Sequence, residues 1–391
     1  MDYSKYLNPA AASLPQSGIR RFFDLAANIP DCISLGVGEP DFATPWEIRD
    51  AAIKSIQSGR TQYTSNAGLL SLREEIAGYL SSRFKADYDP KTEIIVTIGA
   101  SEAIDLALRT LVTAGDEVLI PSPSYVSYAP NAAIVGGAAV PLETRAEENF
   151  VLTPEILEKA ITPRSKVLIL PYPNNPTGAI MTREQLGKIA DVIEKHDLFV
   201  ISDEIYAELT YGERHASFAA IPGMKKRTVL INGFSKAFAM TGWRLGYFCA
   251  PEPVAKAAYK IHQYTIMCAP TASQIAGEAA LRSGREDDYR AVTEMRESYD
   301  IRRRYLYNKF NEMGLKTFEP RGAFYVFPSV ESTGLTGERF AEGLLKSKKV
   351  AVVPGSAFGS GGKNFIRCSY ATSLADLKTA TERIKEFLKE I

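Results

Sequence analysis

The chain has 391 residues, and its 46 basic and 46 acidic side chains give a formal net charge of zero. A balanced charge without long runs of one sign argues against nucleic acid or an anionic membrane as the main partner. This length exceeds what one hydrophobic core usually supports, so two domains are expected.

The N-terminal residues have no apolar core of the signal-peptide type, and no later segment reaches the roughly 20 apolar residues of a membrane span. The four cysteines are widely separated and form no CxxC pair, which favours reduced thiols over metal or redox sites. We therefore expect a cytoplasmic protein.

From about residue 94, short β-branched segments alternate with longer amphipathic segments, which is typical of βαβ units and a mostly parallel sheet between helices. Thr153 before Pro154, and Thr182 with Gln185 as a capping box, indicate two helix starts. The predicted strands cover residues 94–98, 117–120, 138–142, 166–170, 198–202, 229–232 and 246–250.

After about residue 285 the pattern changes to a long charged helix over 286–313, short strands over 323–327 and 365–368, and a closing helix capped by Ser373 and Asp376. This predicts a smaller α+β domain. The expected division is a large domain of residues 46–285 and a small domain formed by residues 1–45 together with 286–391.

The most informative segment for chemistry lies between the last two predicted strands and runs from Ser235-Lys236 to Arg244. A lysine among small and apolar residues at a strand end is partly desolvated, which lowers its pKa and frees an amine for Schiff-base chemistry. Ser235 and Arg244 offer a hydroxyl and a guanidinium, which suit a phosphate dianion. Without these neighbours, a surface position would be the better interpretation of Lys236.

A second segment ends another apolar strand at Asp203, and Tyr206 follows it closely. An acid at the carboxyl end of a parallel strand points into the crevice where open α/β sheets bind ligands. There Asp203 could pair with a protonated pyridine nitrogen while Tyr206 donates to a ring oxygen. A turn or a helix cap is the alternative for Asp203.

Three further segments follow or contain predicted strands. Asn175 lies in a loop rich in Pro and Gly that could hold its amide in the plane of a flat ring. The helix start at Ala100 and Ser101 offers N–H groups to an anion, although any strand-to-helix junction looks similar. Arg367 lies between apolar residues without a neighbouring acid, which indicates either a substrate carboxylate or an ion pair with a distant acid.

Taken together, the segments around Asn175, Asp203 and Lys236 resemble the class I/II aminotransferases, which are fold-type-I pyridoxal-phosphate enzymes and include bacterial aspartate aminotransferases. The resemblance extends from Gly36 to Arg367, with several motifs in the family's order. It implies an α/β fold with a mostly parallel seven-stranded sheet between helices, a smaller α+β domain, and pyridoxal 5′-phosphate as cofactor.

The resemblance implies Lys236 as the Schiff-base lysine and later proton carrier, with Asp203 on the pyridine nitrogen and Tyr206 as the third catalytic residue. Tyr206 and Asn175 would contact the ring oxygen. The remaining implied cofactor contacts are Ser235, Arg244 and the backbone at Ala100 and Ser101 on the phosphate, and Tyr125 stacked on the ring.

For the substrate, the resemblance implies that Arg367 binds the α-carboxylate with help from Asn175 and the backbone at Gly38, under an N-terminal segment that closes over it. Tyr63 would reach the cofactor phosphate of a partner subunit, which implies a homodimer with shared sites. One departure is Ser101, because similar bacterial aspartate aminotransferases carry a lysine there that binds the second carboxylate of an acidic substrate.

The implied reaction is ping-pong transfer of an amino group between an L-amino acid and a 2-oxo acid, with the donor side chain left open. A β C–S lyase of the cystathionine type is the alternative, because groups around the ring serve both reactions. A cofactor-binding regulator is disfavoured by the lack of a helix-turn-helix pattern before Gly36, and a nicotinamide dehydrogenase by the lack of a GxGxxG turn.

Overall fold

The computed structural model describes residues 1–14, 16, 18, 19 and 29–391, so part of the N-terminal segment predicted to close over the substrate lies outside the described residues. After a 3-10 turn at Ser4–Tyr6, the N-terminal part contains a short helix, α1 (Pro9–Ser13), and a short strand, β1 (Ile33–Ser34). The Asn8 side chain accepts the N–H of Ala10 and thereby begins α1.

A seven-stranded sheet forms the centre of the molecule, with strand order β2-β8-β7-β6-β5-β3-β4. All neighbouring strands are parallel except β8, which is antiparallel to β2 and to β7. The strands are β2 (Ile94–Thr97), β3 (Glu117–Ser122), β4 (Ala138–Glu143), β5 (Ser165–Leu170), β6 (Phe199–Asp203), β7 (Thr228–Gly233) and β8 (Gly246–Cys249). The seven predicted strands are therefore confirmed.

Helices cover both faces of this sheet, as the alternating contacts along β7 show. Val229 and Ile231 pack with residues of the helices Gly99–Leu111 and Glu252–Thr265, whereas Leu230 packs with residues of the helices Leu70–Phe84 and Thr271–Glu286. The helices of this part are α2 (Trp46–Gln57), α3 (Leu70–Phe84), α4 (Gly99–Leu111), α5 (Tyr128–Ile134), α6 (Pro154–Ala160), α7 (Arg183–Lys195), α8 (Glu252–Thr265) and α9 (Thr271–Glu286). The predicted caps are confirmed, since Thr153 and Thr182 accept N–H bonds at the starts of α6 and α7.

The C-terminal part contains a three-stranded antiparallel sheet, in which the strand Ile366–Ser369 lies between the strands Val353–Pro354 and Tyr325–Val326. This sheet packs with the helices Arg290–Glu312 and Leu374–Leu388. β1 pairs with β10 in parallel, which supports grouping residues 1–45 with 286–391. The Ser373 cap of the closing helix is confirmed. The elements are α10 (Arg290–Glu312), β9 (Tyr325–Val326), α11 (Gly337–Lys348), β10 (Val350–Ala351), β11 (Val353–Pro354), β12 (Ile366–Ser369) and α12 (Leu374–Leu388).

The prediction of one helix over 286–313 is wrong at its start. α9 ends at Glu286 and α10 begins at Arg290, with φ of 52° at Asp288 and 56° at Tyr289 between them. The Tyr289 ring is buried against Gly284, where a Cβ would lie 2.4 Å from it. Burial of this ring therefore overrides the helical preference of the charged segment. Within the described ranges, no helix combines the length and apolarity needed to cross a membrane.

Candidate active site

A cavity of about 430 Å³ lies at the sheet edge where the parallel strands have their carboxyl ends. Open α/β sheets bind ligands at this edge. The cavity brings together all but one of the residues that the sequence predicts for the site. These are Gly38, Ala100, Ser101, Tyr125, Asn175, Asp203, Tyr206, Ser235, Lys236, Arg244 and Arg367.

Lys236 follows β7 and points its amine into the cavity. Its Nζ donates to the backbone oxygen of Gly38 at 2.6 Å and lies 5.8 Å from the centre of the Tyr206 ring. Burial lowers the pKa of Lys236 to about 8, with Arg367 and Arg244 acting in the same direction. The site therefore makes an uncharged amine accessible near neutral pH.

Asp203 ends β6 and is buried, with 5% of its surface exposed. Its Oδ2 accepts the hydroxyl of Tyr128 at 2.7 Å, and its Oδ1 accepts the N–H of Ile205 at 3.2 Å. Burial raises the pKa of Asp203 to about 6, against the hydrogen bond from Tyr128, which lowers it. A cation placed against this carboxylate would keep it ionised.

Tyr128 is a site residue that the sequence reasoning missed. It lies at the start of α5, and its ring meets the edge of the Tyr125 ring, with 5.6 Å between the centres. No local signal in the sequence marks it, because Tyr125 precedes α5 and the partner Asp203 lies 75 residues away. Tyr128 bonds to Asp203, and both Tyr125 and Tyr128 line the cavity.

Tyr325 is a second missed residue, and it comes from β9 of the C-terminal part. Its hydroxyl lies 2.9 Å from the hydroxyl of Tyr206. Both rings are buried, and burial raises the pKa of Tyr206 and of Tyr325. The hydroxyl pair therefore stays protonated at neutral pH and can orient one donor toward a ligand.

Arg367 lies in β12 with only 2% of its surface exposed. Its Nη1 donates to Oδ1 of Asn175 at 2.9 Å, and its Nη2 donates to the backbone oxygen of Gly36. Its Nε has no partner among the described residues. Since both acceptors are neutral oxygens, this guanidinium retains charge and donors for a ligand carboxylate.

The two tandem asparagines have separate tasks. Oδ1 of Asn174 accepts the N–H and the hydroxyl of Thr177, at 3.3 and 3.1 Å, and so closes the loop after β5. Asn175 is thereby free to turn its amide toward Arg367 and the cavity. Turn formation explains the first asparagine and the cavity explains the second.

The opposite end of the cavity combines a helix start with a cation. Gly99 has φ of +70°, and a Cβ there would lie 2.7 Å from Nη2 of Arg244. A Cβ at Gly246 would lie 2.6 Å from the backbone nitrogen of Ala100. Only glycines at these two positions allow the guanidinium and the first N–H groups of α4 to come so close, which is the arrangement that an anion requires.

Tyr63 is the one predicted site residue outside this cavity, and 80% of its surface is exposed. The loop around it is nevertheless fixed. The Thr271 hydroxyl donates to the backbone oxygen of Gln62 at 2.7 Å, and Nε2 of Gln274 donates to Oγ1 of Thr64 at 2.9 Å. Its implied contact with a partner subunit's cofactor stays a prediction.

Comparison with known proteins places this site in a family. The model of the family described as "Aminotransferase class I and II" matches residues 30–384. The aromatic-amino-acid aminotransferase 2 of Thermococcus litoralis is 46% identical over 375 residues, which cover 96% of each protein. The aspartate aminotransferase of Pyrococcus abyssi is 45% identical, also over 96% of each protein.

Comparison with solved structures indicates the same family as these relatives. Aspartate aminotransferase from Thermus thermophilus with maleate superposes with a TM-score of 0.93 at 37% identity, covering 97% of this chain and 99% of that one. These relatives and this structure are named as aminotransferases and give no support to a lyase. The chain belongs to the class I and II aminotransferases.

Proposed function

We propose that this aminotransferase uses pyridoxal 5′-phosphate to move an amino group between an L-amino acid and a 2-oxo acid in a ping-pong reaction. Its family uses this cofactor. The proposal rests on one observation, which is that the Lys236 amine, the Asp203 carboxylate and the Arg367 guanidinium line the same cavity.

The residues present fit the cofactor. The volume of about 430 Å³ is that of a small-molecule site. The glycine-lined helix start beside Arg244, with the buried Ser235 nearby, suits the phosphate, and Tyr125 would stack on the ring. When bound, the cofactor supplies an aldehyde that exchanges amines and a ring that accepts electrons.

The chain's own groups then have distinct tasks. Lys236 would anchor the aldehyde through Nζ and, once released, hold and return the proton taken from the substrate's Cα. Its lowered pKa of about 8 suits a base near neutral pH. Asp203, buried and supported by Tyr128, would hold the proton on the ring nitrogen. The Tyr206 hydroxyl and the Asn175 amide would orient the ring oxygen.

The substrate's α-carboxylate would bind Arg367 in fork geometry, with Asn175 and the backbone at Gly38 beside it. The Nε of Arg367, which has no partner within the described residues, supports a ligand at this position. For the side chain, relatives of nearly equal identity are named for aromatic amino acids and for aspartate. Ser101 lines the cavity without supplying a cation for a second carboxylate.

The working unit would be a cytoplasmic homodimer in which Tyr63 reaches the partner's phosphate. Exposed apolar residues support an interface, among them Trp46 (57% exposed) and Ile56 (58%) on α2 and Tyr264 (86%) on α8. The four cysteines are all unpaired, which supports a reducing compartment. Residues 46–285 would form the large domain of each subunit.

A half-reaction screen tests this function. The purified protein is loaded with pyridoxal phosphate and mixed with single amino acids of aromatic, aliphatic and acidic type. We expect the visible absorbance of the lysine-bound cofactor to give way to that of pyridoxamine phosphate, with release of one oxo acid per site. Release of pyruvate and ammonia from cysteine-type substrates without an oxo-acid acceptor would contradict the proposal in favour of a lyase.

A further inference from the structure

A buried histidine outside the proposed catalytic set connects two segments that the proposed function uses separately. His262 lies on α8 with none of its surface exposed. Its Nδ1 contacts Oε1 of Glu102, and its Nε2 lies 2.8 Å from the backbone oxygen of Asn66. Polar contacts on both ring nitrogens fix the ring's place and orientation.

The Glu102 end of this contact belongs to the helix start that faces the phosphate site. Glu102 follows Ser101 in the first turn of α4, and its Oε2 accepts the N–H of Ile98, the residue before the helix. The carboxylate thus satisfies one N–H at this helix end and leaves those of Ala100 and Ser101 to face an anion.

The Asn66 end belongs to the loop that carries Tyr63. Nδ2 of Asn66 donates to the backbone oxygen of Met267 at 2.8 Å, and the Tyr259 hydroxyl donates to Oδ1 of Asn66 at 3.4 Å. All three contacts of Asn66 come from α8 or the segment that follows it. Asn66 is therefore held from the α8 side, in addition to the bonds that Thr271 and Gln274 of α9 make with the loop, while the Tyr63 side chain projects outward with 80% of its surface exposed.

We infer that the Glu102–His262 pair is a positioning pair that couples the cofactor sites of the two subunits. The inference rests on the proposed cofactor and the proposed dimer. Because His262 contacts both segments, a shift of the phosphate-facing helix start in one subunit changes the position of the loop that delivers Tyr63 to the other. Coupling between two binding sites is reciprocal, so cofactor bound in either site favours binding in its neighbour.

The hydrogen-bond chemistry of the pair supplies matched variants. Both ring nitrogens of His262 face oxygen atoms. Glu102→Gln keeps every contact, because the new amide oxygen accepts the N–H of Ile98 and the new amide N–H donates to Nδ1 of His262. The N–H at Nε2 of His262 then donates to the backbone oxygen of Asn66. His262→Asn keeps a polar group beside Glu102 but is too short to reach Asn66. Glu102→Gln therefore retains the contact between the two segments, and His262→Asn removes it at Asn66.

Mixed dimers separate the effect on a subunit's own site from the effect on its partner's site. One subunit carries Lys236→Ala, so that only the other subunit captures pyridoxal phosphate covalently and gives the visible absorbance. His262→Asn is placed in the Lys236→Ala subunit, and the intact site then receives Tyr63 from the altered loop. We expect cofactor binding at the intact site to weaken about tenfold, the usual effect of losing one hydrogen bond to a charged group, because the altered loop no longer holds Tyr63 against the phosphate.

Glu102→Gln, placed in the Lys236→Ala subunit instead of His262→Asn, should change the cofactor affinity of the intact site by no more than about twofold, because its hydrogen bonds are kept. His196→Asn is a control of the same chemistry, since His196, the residue after α7, pairs with Glu158 of α6 at 2.9 Å, away from both segments. An affinity at the intact site that is unchanged by His262→Asn would overturn the inference. Hydrogen exchange of the amides of residues 62–69 should become faster in the His262→Asn homodimer, and unaltered exchange would also contradict the inference.

The same measurements distinguish this inference from the proposed function. If the parent protein is monomeric or does not capture pyridoxal phosphate, the proposed function fails. If the parent dimer captures it normally and only the effect of His262→Asn across the interface is missing, the coupling alone is wrong.

Discussion

The cavity is enclosed by two regions that are built differently. On one side, Asn175 and Lys236 follow central strands of the sheet and Asp203 ends one, and β6 and β7 are buried along nearly their whole length. On the other side, Gly38 lies in an irregular segment, and Tyr325 and Arg367 lie on strands of two and four residues. Groups proposed to hold the cofactor are thus carried by the sheet, and groups proposed to bind the substrate are carried by shorter elements.

Hydrogen bonds between described residues join the two regions across the cavity, and three of them involve a predicted site residue. Lys236 donates to Gly38, Arg367 donates to Asn175, and the hydroxyls of Tyr206 and Tyr325 pair at 2.9 Å. Each bond has one member on either side. Gly38, Tyr325 and Arg367 are therefore each bonded to the sheet side, and variants on each side should separate cofactor binding from substrate recognition.

The largest effect is expected on the sheet side, from Lys236→Ala. Loss of the amine removes both the covalent anchor and the proton carrier, and the transamination rate should fall by about 10³ to 10⁴. Borohydride reduction followed by peptide mass mapping should find the cofactor on Lys236 in the parent and on no lysine in the variant. Lys166→Ala, at an exposed ion pair with Asp116, is the control. Covalent cofactor retained by Lys236→Ala would remove the lysine from its proposed role.

On the opposite side, Arg367→Lys should lower kcat/KM for amino-acid donors by about 100-fold, because an ammonium cannot bind a carboxylate in fork geometry while keeping Asn175 and Gly36. Covalent capture of the cofactor should be unchanged. Arg304→Lys, on the exposed face of α10, serves as control. A parallel loss of cofactor binding would show that the two sides are not separable.

A smaller effect is expected from Tyr128→Phe, which tests whether the Tyr128 hydroxyl stabilises the Asp203 carboxylate. In the cofactor-free protein its carboxyl has a pKa of about 6, raised by burial above the ordinary value of 3.8. The stabilising form is therefore the protonated one, and this stabilisation is lost as pH rises through 6. Tyr128→Phe removes a donor to the anion, so the pKa of Asp203 should rise by about one further unit.

Carbon-13 NMR of labelled aspartate in the cofactor-free protein measures this titration. Tyr125→Phe is the matched control, because the Tyr125 ring contacts Tyr128 without bonding to Asp203. A midpoint that does not move in Tyr128→Phe, or moves equally in both variants, contradicts the assigned role of Tyr128.

The smallest effect is expected from Tyr325→Phe, which removes the hydroxyl contact between the two sides. Loss of one neutral hydrogen bond should lower kcat about threefold to fivefold and shift the absorbance of the bound cofactor, because Tyr206 loses its orienting partner. Tyr305→Phe is the control, since its hydroxyl pairs with Thr381 at 2.9 Å outside the cavity. A lower kcat without a spectral shift would indicate a purely structural role.

Much of the large sheet could be predicted from the sequence, because its strands are continuous β-branched segments and its helix starts carry local capping residues. Thr182 with Gln185 is an example, since both hydrogen bonds of the capping box form within four residues of chain. The break before α10 could not be predicted in this way. It depends on the fit of the Tyr289 ring against Gly284, which no local preference encodes.

The same distinction applies to the site. Lys236, Asp203 and Asn175 were predictable because each follows a strand, and a parallel sheet brings the ends of its strands to one edge. Tyr128, Tyr325 and His262 became visible only from the fold. Each acts through a partner at least 75 residues away in sequence, as in the contact of Tyr128 with Asp203.

The sequence by itself thus determined the order of most strands and helices, the family, and many of the side chains that line the cavity, because periodicity, caps and strand-end residues are local properties of the chain. Only the tertiary structure decided which groups support those side chains and how the sheet joins the C-terminal part. Those contacts depend on burial and on hydrogen bonds between distant segments, and such bonds exist only after the chain has folded.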